Sequence, residues 1–237
     1  MSETIAERFL RVQESVLHYA NQRDWQRGNT KLIVVTKKQN IEACIEAEEA
    51  GARFFGENYA EEAVEKFKDV SFSNMQFHMI GHLQSRKVKL LAPLFSVVQT
   101  IDRFEIAEKL DRYYEGIAKK IDALVEIDLS GELTKSGFSL SNDADVADFY
   151  KIIEKMIGFK NINLVGLMTM GHYPQNEETN RAIFSLARRH LETVQSKLEL
   201  ASFNELSMGT SRDYVTAIQE GATMVRVGEL IMGPRSY

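Results

Sequence analysis

Residues 31–39 read Lys-Leu-Ile-Val-Val-Thr-Lys-Lys-Gln, a short apolar run that is rich in β-branched residues and ends in two lysines. A run of this length and composition is typical of a strand that is buried on both faces. A lysine at the carboxyl end of such a strand lies where the core opens. Two interpretations of Lys37 follow: a solvated residue that ends the strand, or an amine that faces a pocket and forms a Schiff base.

The rest of the chain alternates between strand-like and helix-like patterns. Apolar residues at helical spacing predict an opening amphipathic helix over about residues 2–22. Eight strands are then predicted, each followed by a helix. The helices include those near residues 60–68 and 85–91 and one that runs to residue 114 from Asp102, a plausible N-cap. The predicted strands are residues 31–37, 53–56, 76–80, 95–100, 123–127, 164–170, 205–208 and 223–227. This count, in a chain of 237 residues, predicts an α/β fold with a single (β/α)₈ TIM barrel and an extra N-terminal helix.

A doubly wound open sheet is the main alternative fold. Against it, no Gly-x-Gly-x-x-Gly follows the first strand, and no Pro/Gly/Ser-rich linker marks a domain boundary. We therefore predict one domain over residues 1–237. In such barrels active sites lie at the carboxyl ends of the strands.

Composition argues against several classes of partner. The net charge is −5, with 29 basic and 34 acidic residues, which does not favour nucleic acid as a ligand. No apolar run approaches the roughly 20 residues of a membrane-spanning helix, and the amino terminus does not have the pattern of a signal peptide. We expect a cytoplasmic monomer. The lone Cys44 lies in a helical pattern and is predicted to be a core residue.

A zinc site is not expected at His78 and His82, although their spacing is that of helical zinc ligands. The two histidines flank an apparent strand end, where an extended chain would hold them about 13 Å apart. Arg226 interrupts an apolar strand and shares its inward face with Met224. Its guanidinium either pairs with a core carboxylate such as Glu126 or Asp128, or contacts a bound ligand.

Residues near the last two strands have the features of a phosphate site. Barrel phosphate sites are frequently built from the loops after the seventh and eighth strands. Gly209, Thr210 and Ser211 follow the seventh predicted strand, and Gly228 follows the eighth. A Schiff-base lysine, a phosphate site and an inward arginine together match the needs of pyridoxal 5′-phosphate. These patterns do not choose between Lys37 and Lys38.

Seven motifs extend this interpretation over nearly the whole chain. They are Val34-Val-Thr-Lys37, Gly56-Glu-Asn-Tyr59, His78-Met-Ile-Gly-His-Leu-Gln84, Lys135-Ser-Gly137, Gly166-Leu-Met168, Ser207-Met-Gly-Thr-Ser-Arg-Asp213 and Val225-Arg-Val-Gly228. Together they resemble the pyridoxal phosphate homeostasis protein family, which has the fold of the amino-terminal barrel of alanine racemase. Arg86 departs from the resemblance, because it stands where the family usually has asparagine.

The resemblance implies a cofactor site with no metal ligand and no catalytic residue. Lys37 forms the internal aldimine, Asn58 lies beside the cofactor, and Arg226 contacts the pyridine nitrogen. The phosphate is held by five residues, of which the last two act largely through backbone groups: Ser207, Thr210, Ser211, Gly228 and Glu229. Lys135, in a polar loop, is predicted to face solvent, with a secondary role in capturing the aldehyde or phosphate as the alternative.

The function implied is cofactor binding for intracellular pyridoxal phosphate homeostasis. An arginine opposite the pyridine nitrogen disfavours protonation of that nitrogen, which weakens the cofactor as an electron sink. We therefore expect a carrier that holds the cofactor as a lysine aldimine with little or no turnover and passes it to apo forms of dependent enzymes. Two alternatives stay open: a single-domain racemase or decarboxylase that uses the same cofactor, and a barrel lyase with a Schiff-base lysine and no cofactor.

Overall fold

Eight parallel strands form a closed barrel in the computed structural model, which describes residues 3–22, 29–70, 75–130, 136–172 and 176–233. In ring order the strands are β1 (Lys31–Val35), β2 (Phe54–Glu57), β3 (Gln76–Met79), β4 (Phe95–Ile101), β5 (Ile121–Asp128), β7 (Ile162–Met168), β8 (Glu205–Thr210) and β9 (Met224–Val227). Pairing of β4 with β5 closes the ring. The predicted (β/α)₈ barrel is confirmed, and the open doubly wound sheet is excluded.

A ninth strand, β6 (Phe138–Ser139), pairs only with the end of β5 and does not belong to the ring. It was not predicted, because two residues are too few to show a period in the sequence.

Helices connect the strands and surround the ring. They are α1 (Ile5–Asn21), α2 (Ile41–Glu49), α3 (Ala60–Phe67), α4 (Phe104–Gly116), α5 (Asp143–Ile157), α6 (Glu177–Leu198), α7 (Tyr214–Gln219), α8 (Glu229–Met232) and a 3₁₀ helix (Ser85–Leu90). None of the helices in the described ranges is long and apolar enough to cross a membrane.

Helix α1 is the predicted extra helix at the amino terminus. Thr4 and Glu7 form a capping box in which each side chain accepts a hydrogen bond from the other residue's backbone N–H. The buried face of α1 carries Phe9, Val12 and Val16 and packs against α2, α7 and α8. Helix α1 therefore packs on the helices that follow β1, β8 and β9.

Strand β1 is buried on both faces, as its apolar run predicted. Leu32 and Val34 belong to the large core between the strands and the surrounding helices. Ile33 is also fully buried but lies opposite Arg226 of β9, on the face that points into the barrel. The end of β1 therefore opens into the mouth of the barrel.

Several element boundaries differ from the sequence prediction; strand β1, for example, ends at Val35 and not at residue 37. The helix predicted from residue 85 is a 3₁₀ helix, and the helix predicted to begin with Asp102 as its cap begins at Phe104. The Asp102 carboxylate instead pairs with His82 at 2.8 Å and with Arg103 at 2.6 Å. These two contacts explain why Asp102 does not cap α4.

Cys44 lies on α2 and is fully buried in the large core, which confirms the core prediction. Burial raises the pKa of its thiol to about 11. A thiol with that pKa is protonated at neutral pH, so Cys44 has the properties of a small apolar residue.

We expect Gly166→Ala to destabilise the barrel, because β7 and β8 are in close contact there. A Cβ at position 166 would lie 1.8 Å from the backbone oxygen of Glu205. Relieving this overlap requires a backbone shift, with a loss of about 3 kcal/mol in the free energy of unfolding. Urea unfolding followed by circular dichroism measures the loss.

Gly116→Ala is the matched control, since nothing lies within 4 Å of a Cβ added at that position. Gly116 is the last residue of α4, and alanine there should change stability by less than about 1 kcal/mol. Equal stability of the two variants would contradict the close approach of β7 and β8.

Candidate functional site

The turn after β1 carries Lys37. The backbone N–H of Gln39 donates to the carbonyl of Thr36 at 3.1 Å, and Lys38 has a left-handed backbone with φ +60°. The side chain of Lys37 is half-buried, whereas that of Lys38 is exposed. The two lysines therefore differ in exposure, and the assignment of Lys37 as the Schiff-base amine stays a prediction.

A buried ion pair holds this turn in place. The hydroxyl of Thr36 donates to Glu57 Oε1 at 2.7 Å, and Lys66 Nζ lies 2.7 Å from the same oxygen. Lys66 Nζ also donates to the carbonyl of Thr36 at 2.8 Å, and the backbone N–H of Lys38 donates to Glu62 Oε1 at 2.6 Å. Burial raises the pKa of Glu57, and the charge of Lys66 opposes that shift.

Sequence reasoning missed this ion pair. A usable signal was present, because Glu57 ends an otherwise apolar strand and Lys66 lies nine positions later on a predicted helix. Nothing in that spacing, however, indicated that both side chains would reach back to residue 36.

Asn58 directly follows β2 and presents an unsatisfied polar atom. Its Oδ1 is buried and has no hydrogen-bond partner among the described residues. Gly81 packs against its backbone so closely that an added Cβ would lie 2.1 Å from the Asn58 carbonyl oxygen. The amide of Asn58 is therefore held at the mouth of the barrel with capacity to bind a further group.

Arg226 lies inside the barrel and is 5% exposed. Its Nη1 donates to Ser207 Oγ at 2.6 Å, and its Nη2 donates to the carbonyl of Thr169 at 3.0 Å and to Met170 Sδ at 2.9 Å. Burial lowers the pKa of the guanidinium to about 10, so it stays charged at neutral pH.

Neither carboxylate considered from the sequence forms a salt bridge with Arg226. Within the described ranges, Glu126 and Asp128 make no ion pair with it, although Asp213 and, to a lesser extent, Glu126 interact with it electrostatically. The salt-bridge interpretation of Arg226 is therefore wrong. Its hydrogen bonds go to a hydroxyl, a carbonyl and a thioether, none of which carries a charge.

Ser207 is fully buried, and its hydroxyl connects Arg226 to a series of hydrogen-bonded side chains inside the barrel. Its hydroxyl donates to Gln99 Oε1 at 2.7 Å, and Gln99 Nε2 lies 2.9 Å from His78 Nδ1. Burial lowers the pKa of His78 to about 3, so the imidazole is neutral. The Ser207 hydroxyl thus supports Arg226, and a contact of Ser207 with phosphate stays a prediction.

The loops after β8 and β9 meet beside β1. The backbone N–H of Gly228 donates to Ser211 Oγ at 3.2 Å. A Cβ on Gly228 would lie 3.3 Å from the Cβ of Val35, the last residue of β1. In the part of the chain that the structure describes, the N–H groups of Ser211 and Glu229 have no acceptor. Two unsatisfied donors of this kind can bind an anion.

Thr210 is less available for an anion than its sequence position suggested. Its backbone N–H and its hydroxyl both donate to Asp213 Oδ1, at 2.6 and 2.9 Å. Asp213 also accepts a hydrogen bond from the amide of Asn180 at 3.0 Å. The Thr210 hydroxyl is therefore engaged within its own loop, and its role at a phosphate stays a prediction.

The predicted site residues lie on four neighbouring strands in the order β8, β9, β1, β2. Lys37, Asn58, Ser211, Gly228 and Glu229 follow the carboxyl ends of these strands, and Arg226 lies just inside. Ser207 lies deeper in the barrel, and Thr210 pairs with Asp213. Arg86 is exposed on the 3₁₀ helix, where it donates to Gln84 at 3.1 Å. Lys135 lies outside the described residues.

Glu126 is a second group that sequence reasoning undervalued. Glu126 lies two residues after Leu124 on β5, so both side chains are on the face that points into the barrel. Its Oε2 is buried and has no hydrogen-bond partner among the described residues. Burial raises the pKa of its carboxyl to about 7; Asp102 adds to the shift and Arg226 opposes it. The barrel interior near Arg226 therefore contains a carboxyl whose pKa is raised toward neutral pH.

Comparisons with known proteins agree on a family. Residues 18–236 match the family described as "Alanine racemase, N-terminal domain". The pyridoxal phosphate homeostasis protein of Pasteurella multocida is 33% identical over 236 residues, which cover 99% of each chain. The structure of PipY from Synechococcus elongatus with PLP bound has a TM-score of 0.83 at 28% identity, covering 97% of this chain and 100% of PipY.

Similarity to a larger enzyme concerns the fold alone. An alanine racemase of Clostridium difficile has a TM-score of 0.65 at 17% identity, and the match covers 94% of this chain but only 56% of the racemase.

We expect Glu126→Gln to change how stability depends on pH. A carboxyl whose folded-state pKa is raised from its ordinary value of 4.5 to about 7 contributes stability that is fully present below pH 4.5 and is lost as pH rises through 7. Between pH 5 and 8 the free energy of unfolding of the wild type should fall by on the order of 3 kcal/mol relative to that of the variant, because the glutamine side chain does not ionise. Urea unfolding at a series of pH values measures the difference.

Glu105→Gln, at an exposed position on α4, is the control and reports the effect of removing any one carboxylate. Parallel pH profiles for wild type and Glu126→Gln would show that Glu126 ionises normally in the folded protein.

Proposed function

The chain belongs to the pyridoxal phosphate homeostasis protein family, and on that premise we propose that it binds pyridoxal 5′-phosphate and serves intracellular homeostasis of this cofactor. The observation that carries the proposal concerns the groups at the ends of four neighbouring strands: an amine, a buried guanidinium, and an amide oxygen and two backbone donors that have no partner among the described residues. Each group corresponds to one part of the cofactor.

The residues present fit the cofactor's chemical groups. Pyridoxal phosphate supplies an aldehyde, which condenses with a primary amine with loss of water. Lys37 is the amine, and the N–H groups of Ser211 and Glu229 are donors for the phosphate. Arg226 would face the pyridine nitrogen, and Asn58 would bind beside the ring through its unsatisfied Oδ1.

The position and charge of Arg226 favour binding of the cofactor without catalytic turnover. A guanidinium with a pKa of about 10 donates hydrogen bonds and stays positive at neutral pH. Opposite the pyridine nitrogen it would keep that nitrogen unprotonated, which weakens the ring as an acceptor of electrons. The chain is therefore proposed to be a carrier with little or no catalytic activity, not a racemase or decarboxylase.

The alignments support the same choice. The match to the homeostasis protein extends over 99% of that relative, whereas the match to the racemase covers 56% of it. The proposal includes three further predictions: the chain delivers the cofactor to apo forms of dependent enzymes, it is monomeric, and it is located in the cytoplasm.

Adding pyridoxal phosphate and reducing with borohydride should attach the cofactor covalently to Lys37. The adduct is located by peptide mass spectrometry, and its formation is followed by absorbance before reduction. Lys37→Ala should lose the adduct, whereas Lys38→Ala, at the exposed neighbouring lysine, should keep it. An adduct on Lys38 or Lys135 in the wild type would contradict the site assignment.

Incubating the loaded protein with a panel of L-amino acids tests the carrier interpretation. Since Arg226 disfavours protonation of the pyridine nitrogen, neither D-amino acid nor carbon dioxide should accumulate beyond one equivalent of protein. Chiral chromatography and carbon dioxide release are the measurements. Sustained formation of either product would establish the racemase or decarboxylase alternative.

A further inference from the structure

The lysine turn is held by a buried ion pair that the proposed cofactor contacts do not use. We propose that Lys66, together with Glu57, is a positioning residue that sets the direction and reactivity of the Lys37 amine. The inference rests on the proposed function, because it assigns Lys37 to the cofactor aldehyde. Glu57 is fully buried at the end of β2, and the side chain of Lys66 on α3 is 7% exposed.

The peptide before Lys37 is held at every polar atom of Thr36. The Thr36 N–H donates to the carbonyl of Gly56 at 3.1 Å, and its hydroxyl donates to Glu57 at 2.7 Å. Its carbonyl, which belongs to the peptide bond with Lys37, accepts from Lys66 Nζ at 2.8 Å. Because a peptide unit is planar, fixing this carbonyl fixes the plane from which the Lys37 side chain departs.

The peptide after Lys37 is held from the same side. The N–H of Lys38, which belongs to the peptide bond with Lys37, donates to Glu62 Oε1 at 2.6 Å. Glu62 in turn lies 3.6 Å from Lys66 Nζ. Both peptide planes that flank Lys37 are therefore fixed by groups that meet at one buried ammonium.

Stability alone does not account for this arrangement. A buried ion pair is often no more stabilising than apolar residues of the same volume, because both charges lose their hydration. Burial raises the pKa of Glu57, which shows that the pocket disfavours its charge. Fully buried Cys44 packs close by and interacts electrostatically with both Lys66 and Glu57. The buried ion pair of Lys66 and Glu57 therefore serves to fix one backbone geometry around Lys37.

The chemical step makes orientation matter. With the cofactor bound, the neutral Lys37 amine would add to its aldehyde carbon, both N–H protons would leave with the carbonyl oxygen as one water, and a carbon–nitrogen double bond would replace the carbon–oxygen double bond. The rate of such a step depends on how well the two reacting groups are aligned, and misplacement by about 1 Å can cost up to roughly 100-fold.

Lys66→Met in the full chain tests the proposal, since methionine keeps an apolar stem and removes the charge and the donors. The rate of covalent adduct formation with pyridoxal phosphate, measured by stopped-flow absorbance, should fall about 10- to 100-fold. Affinity for pyridoxine 5′-phosphate, which has the same ring and phosphate but no aldehyde, should fall less than about threefold because it needs no oriented amine. Lys66→Arg should restore part of the rate.

Lys31→Met is the matched control. It removes the ion pair of Lys31 with Glu205, 2.5 Å apart, at the opposite end of the same strand. This variant should leave the rate of adduct formation unchanged. Glu62→Ala, at a half-buried position, removes the acceptor of the Lys38 N–H in the peptide after Lys37. It is the second test variant if Lys66→Met does not fold.

A readout without the cofactor keeps this inference separate from the proposed function. The rate at which acetic anhydride modifies Lys37 in the apo-protein is measured by peptide mass spectrometry, with exposed Lys109 as the internal reference. The rate ratio of Lys37 to Lys109 should change in Lys66→Met and stay constant in Lys31→Met.

Two results would overturn the positioning role. One is adduct formation and acetylation of Lys37 at wild-type rates in Lys66→Met. The other is a loss of pyridoxine 5′-phosphate affinity as large as the loss of adduct rate, which would indicate general damage to the site. If the wild type forms no adduct at all, the proposed function fails, and the acetylation ratio still decides whether Lys66 orients Lys37.

Discussion

Strand β1 is hydrogen-bonded to β2 on one side and to β9 on the other, and the whole candidate site depends on this double pairing. Val35 lies opposite Gly56, and Val34 lies opposite Val227. The residues that follow these three strands therefore emerge together at one end of the barrel. Because side chains alternate between two faces, a slip of one residue in either pairing would turn the inward set outward. The register of these two pairings thus decides whether Lys37, Asn58 and the backbone N–H of Glu229 lie at the same end of the barrel.

The barrel interior stabilises a buried cation with neutral groups. Hydrogen bonds run from Arg226 through Ser207 and Gln99 to His78, and a further one goes to the carbonyl of Thr169. Burial lowers the pKa of both end groups, so that His78 is neutral while Arg226 keeps its charge at neutral pH. A guanidinium supported in this way can stand opposite an aromatic nitrogen without giving it a proton. This property is the basis of the proposal that the chain holds its cofactor with little or no turnover.

Local patterns predicted most of the fold and failed where a distant contact competed with a local one. The apolar periods identified all eight ring strands, because burial on the two faces of a closed barrel imposes those periods. Asp102 was a reasonable helix cap by sequence. In the folded chain, however, His82 and Arg103 bind its carboxylate, and the helix begins at Phe104 without it. A cap is a weak interaction that a nearby ion pair can replace.

By itself, the sequence determined which strand ends carry Lys37, Asn58, Arg226 and Gly228, since these positions follow from spacing within single elements. Only the tertiary structure decided what surrounds them. Lys66 reaches a carbonyl 30 residues away, and the Ser207 hydroxyl bonds to an amide 108 residues away. The raised pKa of Glu126 likewise arises from burial among several strands. Such contacts and shifts depend on distance in space and on exclusion of water, and a local sequence period encodes neither.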